Sequence, residues 1–139
     1  MMPSSLLIAL VDDDRVYQFT TERMLMRIDG DVRFKWFKDG EEALGYLESH
    51  AGEPDVLPDV LILDINMPFM DGWQFLEAFR TKKASLSKKI DIYMISSSAD
   101  ERDQNRAKSY CDVTDYLEKP ITTDLLKSLL DRYNQRYDS

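Results

Sequence analysis

Asp64 ends an apolar run, Leu61-Ile62-Leu63, and is followed by Ile65-Asn66-Met67-Pro68, a turn that closes on a second acid, Asp71. Residues 6–11 (LLIALV) likewise end in acids, Asp12-Asp13-Asp14. Residues 90–95 run into Ser96-Ser97-Ser98, and residues 113–117 are followed by Lys119-Pro120. Each feature has an ordinary explanation, since acids and serines cap helices and make turns. Their recurrence at four strand-like ends does not. On one rim, Asp12, Asp13 and Asp64 could not all ionise without compensation, because like charges raise one another's pKa. A hard divalent cation supplies that compensation, and Mg²⁺ is bound by a few carboxylates, waters and phosphate oxygens. Ser96 can donate a hydrogen bond to a phosphoryl oxygen, and Lys119 can bring a point charge. The set therefore reads as a Mg²⁺ pocket built to meet a phosphoryl group.

The elements that must position these residues follow from the apolar pattern. Residues 6–11 are a continuous apolar run, as expected of a strand covered on both faces, and residues 59–64, apolar between their two terminal acids, read as a second such strand. Residues 32–37 alternate Val32, Phe34 and Trp36 with Arg33 and Lys35, the pattern of a half-exposed strand. Residues 90–95 and 113–117 complete five strands. Between them, helical spacing recurs: Tyr17, Met24, Leu25 and Ile28, stopped by Gly30; Ala43, Leu44 and Leu47 after the Asp39-Gly40 turn, ending near His50; Trp73, Phe75, Leu76 and Phe79. Residues 51–58, with Gly52, Pro54 and Pro58, form a loop, and residues 81–89 a polar connection. Residues 99–110 are helical in composition but carry few apolar positions, chiefly Ala99, Ala107 and Tyr110. Thr122 caps a last helix that has Asp124 in its first turn and Leu125, Leu126, Leu129, Leu130 and Tyr133 on its core face.

Strands alternating with helices predict an α/β fold, a doubly wound five-stranded parallel sheet with helices on both faces. The two-sided strands, first and third, belong at the centre; the second and fifth suit edges. The expected order is 2-1-3-4-5, the flavodoxin-like arrangement, whose sites form at the carboxyl ends of strands one and three.

Composition excludes several classes. The chain has 139 residues, 43% of them apolar, and a net charge of −8. Such a surface does not suit nucleic acid or anionic membranes, which clustered Lys and Arg grip. Lys82, Lys83, Lys88 and Lys89 flank a polar connection and read as solvated. No apolar run reaches the roughly 18 residues that span a bilayer, and residues 1–5 are too short for a secretory signal. One cysteine, Cys111, can make no internal disulfide, which fits a reducing, cytoplasmic compartment. Trp36, Trp73 and the methionines read as core or boundary residues, and His50 as a helix end.

The sequence resembles the receiver domain of two-component response regulators, the CheY-like family. The resemblance rests on Val11-Asp12-Asp13, the run Asp64-Ile65-Asn66-Met67-Pro68-Phe69-Met70-Asp71-Gly72, Ser96, Tyr116 and Lys119-Pro120, in order along nearly the whole chain. It implies that Asp64 is the phosphoacceptor, attacking a phosphohistidine of a sensor histidine kinase or histidine phosphotransfer protein. It implies Mg²⁺ held by Asp13 and Asp64 directly, by Asp12 through water or as a second ligand, and by the Asn66 backbone carbonyl. Lys119 would pair with the phosphoryl group across a cis Lys119-Pro120 bond. Ser96 would close on it, and Tyr116 would change rotamer with Ser96. The expected output is a shift of the surface made by the fourth helix, fifth strand and fifth helix, read by a downstream protein target or spent in passing the phosphoryl group on.

The chain is expected to be a single receiver domain over residues 1–139, with its core at about 5–137 and no output domain; the family often forms a homodimer through the output face, and the sequence leaves the oligomeric state open. The resemblance implies no enzyme beyond self-catalysed phosphorylation and dephosphorylation. Ser96 stands where the family usually has Thr, and Asp112 where Gly is common; Asp tolerates left-handed backbone. Side chains at Asn66 and Ser98 influence the lifetime of the phosphorylated state in the family.

Two other classes remain to be weighed. An aspartyl-phosphate phosphohydrolase of the haloacid-dehalogenase kind wants a second Asp two residues after the nucleophile, where this chain has Asn66. A phosphorylation-independent pseudo-receiver usually lacks acids or the lysine, all of which are present here.

Overall fold

In the computed structural model, which describes residues 6–98 and 100–137, five strands and five α-helices alternate among the described residues. They are β1 (Leu7–Val11), α1 (Arg15–Ile28), β2 (Arg33–Phe37), α2 (Gly40–Ser49), β3 (Val60–Asp64), α3 (Gly72–Lys82), β4 (Asp91–Ser96), α4 (Glu101–Lys108), β5 (Val113–Glu118) and α5 (Thr123–Tyr137). Residues 1–5, read above for a secretory signal, and Ala99 lie outside the described residues. No described helix is long and apolar enough to cross a membrane.

The strands form one parallel sheet in the order β2-β1-β3-β4-β5. The order follows from burial. β1, β3 and β4 are buried at every position, whereas β2 and β5 are mostly half-exposed and occupy the edges. Alternate side chains leave opposite faces of the sheet. Ala9, Val11, Leu61, Leu63, Ile92 and Met94 meet Leu44 and Leu47 of α2, Phe75 and Leu76 of α3, and Ala107 of α4. Ile8, Leu10, Val60, Ile62, Tyr93 and Ile95 meet Leu25 of α1 and Leu126, Leu129 and Leu130 of α5.

Side-chain caps fix where the helices begin. The Asp14 carboxylate accepts the N–H groups of Val16 and Tyr17, and Asp39 that of Glu42, so Asp39-Gly40 is a helix start more than a free turn. Asp71 and Gln74 make a reciprocal capping box at α3. Thr122 Oγ1 accepts from Leu125 N–H, as expected. His50 closes α2 and pairs with Glu53 at 2.6 Å.

Four details depart from the pattern reading. The 81–89 connection is partly helical, since α3 runs to Lys82 and a 3-10 turn follows at Lys83–Ser85. The fourth helix starts only at Glu101 and ends at Lys108, with Asp100 as its cap. The lysines flanking that connection are mostly paired: Lys82 with Glu48, Lys83 with Asp112 at 2.7 Å, and Lys88 with Asp59 at 2.8 Å. Met26 lies on the exposed side of α1 and not in the core.

Candidate phosphoacceptor site

Register brings the acids together. Val11 of β1 pairs with Leu63 of β3, so the next residues, Asp12 and Asp64, leave the sheet side by side. Both side chains are almost fully buried, whereas Asp13 is exposed at the mouth. A carboxylate oxygen from each of Asp12, Asp13 and Asp64 lies within 4.8 Å of the others. The β4–β5 edge delivers the cation. Lys119 N–H donates to Ser96 O at 2.8 Å just past the last strand pair. From there its Nζ reaches Asp12 Oδ2 at 2.8 Å and Asp64 Oδ2 at 3.4 Å. The Lys119-Pro120 peptide is cis.

Three carboxylates thus cluster around one ammonium that touches two of them, Asp12 and Asp64. Burial above all, and the neighbouring Asp12 charge next, push the Asp64 pKa up from 3.8 to about 6. Lys119 and the Asn66 N–H, which donates to Asp64 Oδ1 at 3.2 Å, pull it back only partly. Burial works against the charge of Lys119, but its hydrogen bond to Asp12 and the charges of Asp64 and Asp12 outweigh that and hold its pKa above the ordinary value. The surplus of negative charge and the all-oxygen donor set fit a hard divalent cation such as Mg²⁺.

The loop after β3 is held against the sheet. Gly72 N–H donates to Ile65 O at 2.8 Å. A Cβ on Gly72 would stand 2.9 Å from Ile65 Cα and 3.1 Å from Asp64 O, so only glycine allows this approach. Between them Phe69 adopts φ 68° and is 90% exposed. It is the one non-glycine residue with positive φ among those described; Asp112, the position considered for left-handed backbone, is not one of them.

The remaining sequence-predicted residues sit on β4 and β5. Ser96 is buried, and its Oγ accepts from Ser98 N–H at 3.1 Å. The Tyr116 hydroxyl donates to Ser98 O at 3.0 Å, tying β5 to the segment that leads from Ser96 to α4. Burial, chiefly, holds the pKa of that phenol above its usual value. α4 itself buries only Ala107. Tyr110, just beyond it, is core: its ring stacks on Trp73 at 5.9 Å between centroids.

Two residues at the site were not anticipated. Trp36 Nε1 donates to the Asp12 backbone carbonyl at 2.7 Å, so the edge strand β2 holds the loop carrying Asp12 and Asp13. Tyr17 packs its ring under Lys119 Nζ, 4.6 Å from the centroid, and accepts from Ile121 N–H at 2.9 Å. Both lie in apolar periodicities that read as core, and the one sequence signal is that each carries a polar atom at the carboxyl end of its layer.

The comparisons with known proteins agree with this fold. The family profile described as "Response regulator receiver domain" matches residues 8–131. The chain is 30% identical over 129 residues to a probable methanogenesis regulatory protein, FilR2, of Methanothrix harundinacea, covering 93% of this chain and 81% of that one. A crystal structure of a two-component response regulator from Cytophaga hutchinsonii superposes with a TM-score of 0.84 at 26% identity, covering 96% of this chain and 99% of that one. The chain spans about half the length of several other curated relatives, and less of some. One is a probable C4-dicarboxylate response regulator, DctR, of Halalkalibacterium halodurans, 27% identical over 94% of this chain and 52% of that protein.

Proposed function

The chain belongs to the response regulator receiver family of two-component systems, and on that premise we propose that it is a phosphoryl-acceptor switch with Asp64 as the acceptor. The donor is a phosphohistidine on a sensor histidine kinase or histidine phosphotransfer protein, met in the cytoplasm. The observation that carries this reading is the single ammonium of Lys119 bridging Asp12 at 2.8 Å and Asp64 at 3.4 Å, from a different strand end than either acid.

A carboxylate oxygen of Asp64 attacks the donor phosphorus. The P–N bond breaks as the P–O bond forms, and the electron pair leaves with the imidazole nitrogen. With a pKa of about 6, Asp64 is largely ionised at neutral pH and ready to attack. Catalysis of such a transfer is positioning and charge neutralisation. Lys119 supplies a fixed cation beside the acceptor oxygen, where the phosphoryl oxygens arrive. Asp12, Asp13, Asp64 and the Asn66 carbonyl are the groups that would hold Mg²⁺, which when bound supplies the rest of the neutralisation. Asn66, two residues after the acceptor, cannot serve as the general acid of a hydrolase, so the chain works as a switch and not by turnover.

The product carries about two negative charges. Lys119 then has a stronger partner than Asp12, and the Ser96 hydroxyl, now bound locally to Ser98 N–H, has an acceptor to turn toward. Movement of Ser96 disturbs Ser98, whose carbonyl holds Tyr116. Because α4 has little buried anchorage, a shift there costs little, and the α4–β5–α5 surface is the natural output to a partner protein.

Incubation with Mg²⁺ and acetyl phosphate tests the reading. Intact-mass measurement should show one added phosphoryl group, sensitive to hydroxylamine and absent from Asp64→Asn. No adduct, or an adduct that survives Asp64→Asn, sinks it.

A further inference from the structure

Tyr17 is the third residue of α1, and its backbone N–H is fixed by the Asp14 cap at 3.1 Å. This puts a large ring one turn beyond the Asp12–Asp13 loop, facing the segment that follows β5. The ring face lies 4.6 Å from Lys119 Nζ, and the hydroxyl accepts from Ile121 N–H at 2.9 Å. Lys119 and Ile121 flank Pro120, so one side chain grips both sides of the peptide unit that aims the ammonium. Burial first, then the charges of Asp12, Asp64 and Asp14, push the phenol up to about 12 despite the Ile121 hydrogen bond. The ring therefore stays a neutral phenol with its electron-rich face toward the cation.

Lys119 needs such a support. Its four-carbon stem is flexible and its ammonium has no directional fork, so two carboxylates alone leave it free to swing between them. The contact with Asp12 is shorter than that with Asp64 by 0.6 Å, the difference between 2.8 and 3.4 Å. A third wall is required to keep the charge beside the acceptor oxygen when a phosphoryl group draws it away from Asp12.

We propose that Tyr17 is the positioning residue for Lys119: its ring face seats the ammonium and its hydroxyl pins the Lys119–Ile121 segment, so that the charge is in place before the phosphoryl group arrives. The proposal deepens the phosphoacceptor reading and rests on it for its kinetic consequence, but the seating itself is a property of the resting protein.

Two measurements test it. The first is a double-mutant cycle on adduct formation from acetyl phosphate at saturating Mg²⁺. Loss of a partly desolvated cation–π contact should slow Tyr17→Leu by roughly tenfold, while Tyr17→Phe, which keeps the ring but not the hydroxyl that holds Ile121, should fall between Tyr17→Leu and the native chain. In a Lys119→Ala background, Tyr17→Leu should change the rate less than about twofold, because a residue acting through Lys119 has nothing left to act on. Equal slowing in both backgrounds, or none in the native one, overturns the proposal. The second is the NMR shift of the Lys119 ε-methylene protons, which the ring face moves upfield. That shift should be lost in Tyr17→Leu and kept in Tyr17→Phe; an unchanged shift in Tyr17→Leu also overturns the proposal. If the native chain forms no adduct, the phosphoacceptor reading fails instead, and the NMR result alone decides the role of Tyr17.

Discussion

Removing the negative charge of Asp64 should stabilise the metal-free protein, by an amount that depends on pH in a calculable way. The folded pKa of Asp64 is about 6 against an ordinary 3.8. The folded chain thus holds a proton on this group more tightly than the unfolded chain does. Linkage then sets the sign: relative to low pH, stability from this group is lost as pH rises from about 4 through about 6, and the loss is complete above that. The difference of roughly two pKa units corresponds to ~3 kcal/mol at 1.36 kcal/mol per unit. Asp64→Asn has the same shape and no charge to bury. Its unfolding free energy minus that of the native chain should therefore climb by about 2–2.5 kcal/mol between pH 4 and pH 7.5, because the unfolded-state group is already more than half ionised at pH 4. Urea unfolding in EDTA across that range measures it, and the subtraction cancels the titrating groups that do not feel the Asp64 charge. Mg²⁺ should close most of the gap, since a ligand at 100 times its Kd adds about 2.7 kcal/mol to the form that binds it. A difference curve that is flat in EDTA, or that falls with pH, refutes the account of Asp64 as an acid strained by burial and by Asp12.

Three further perturbations probe the frame around the site. Gly72→Ala places a Cβ 2.9 Å from Ile65 Cα and 3.1 Å from Asp64 O; it should cost about 1–3 kcal/mol in urea unfolding and slow adduct formation by displacing the acceptor's backbone. Asp59, at the opposite end of the sheet, accepts from Leu7 N–H at 2.8 Å and Tyr133 Oη at 3.2 Å and pairs with Lys88 at 2.8 Å. Asp59→Ala should destabilise by about 3 kcal/mol while the rate of adduct formation, measured on the folded fraction, stays unchanged. Thr21 Oγ1 is buried with no hydrogen-bond partner, so the isosteric Thr21→Val should gain about 1 kcal/mol, read as a higher urea midpoint at constant slope.

The sheet was legible because its signals are one-dimensional. Continuous apolar runs at β1 and β3 and mixed ones at β2 and β5 sort centre from edge without any tertiary knowledge, and the order β2-β1-β3-β4-β5 follows. Asp12, Asp13, Asp64, Ser96 and Lys119 were legible for a related reason: in a parallel sheet every strand end falls on one rim, so chemistry at strand ends must converge. Tyr17 and Trp36 were not. Periodicity reports which face a residue occupies but not where its polar atom ends, and Oη of Tyr17 and Nε1 of Trp36 find partners 104 and 24 residues away. The left-handed backbone at Phe69 was hidden too, because an aromatic there gives none of the glycine or asparagine signal by which such a position is usually read. α4 was placed but overestimated in length, since a helix with one buried residue carries too little apolar pattern to mark its ends.

The two ends of the sheet are balanced differently, and that contrast favours the proposed site independently of any motif. At the amino end, Asp59 has Lys88 and Asp112 has Lys83, each within 2.8 Å. Those acids are matched one to one. At the carboxyl end, Asp12 and Asp64, both buried, share Lys119, and Asp13 adds a third carboxylate beside them. A chain selected for stability alone would have supplied a second cation or replaced an acid with a neutral group of similar shape, since an uncompensated buried carboxylate is among the costlier features a core can carry. The upward shift of the Asp64 pKa to about 6, caused first by burial and then by Asp12, falls at the residue proposed to accept the phosphoryl group. Tyr17 and Trp36 then take a consistent place: neither neutralises an acid, and each fixes the position of a charged group that the imbalance would otherwise push aside. An end of the fold that is left electrostatically unsatisfied but mechanically braced is one arranged to receive charge from outside.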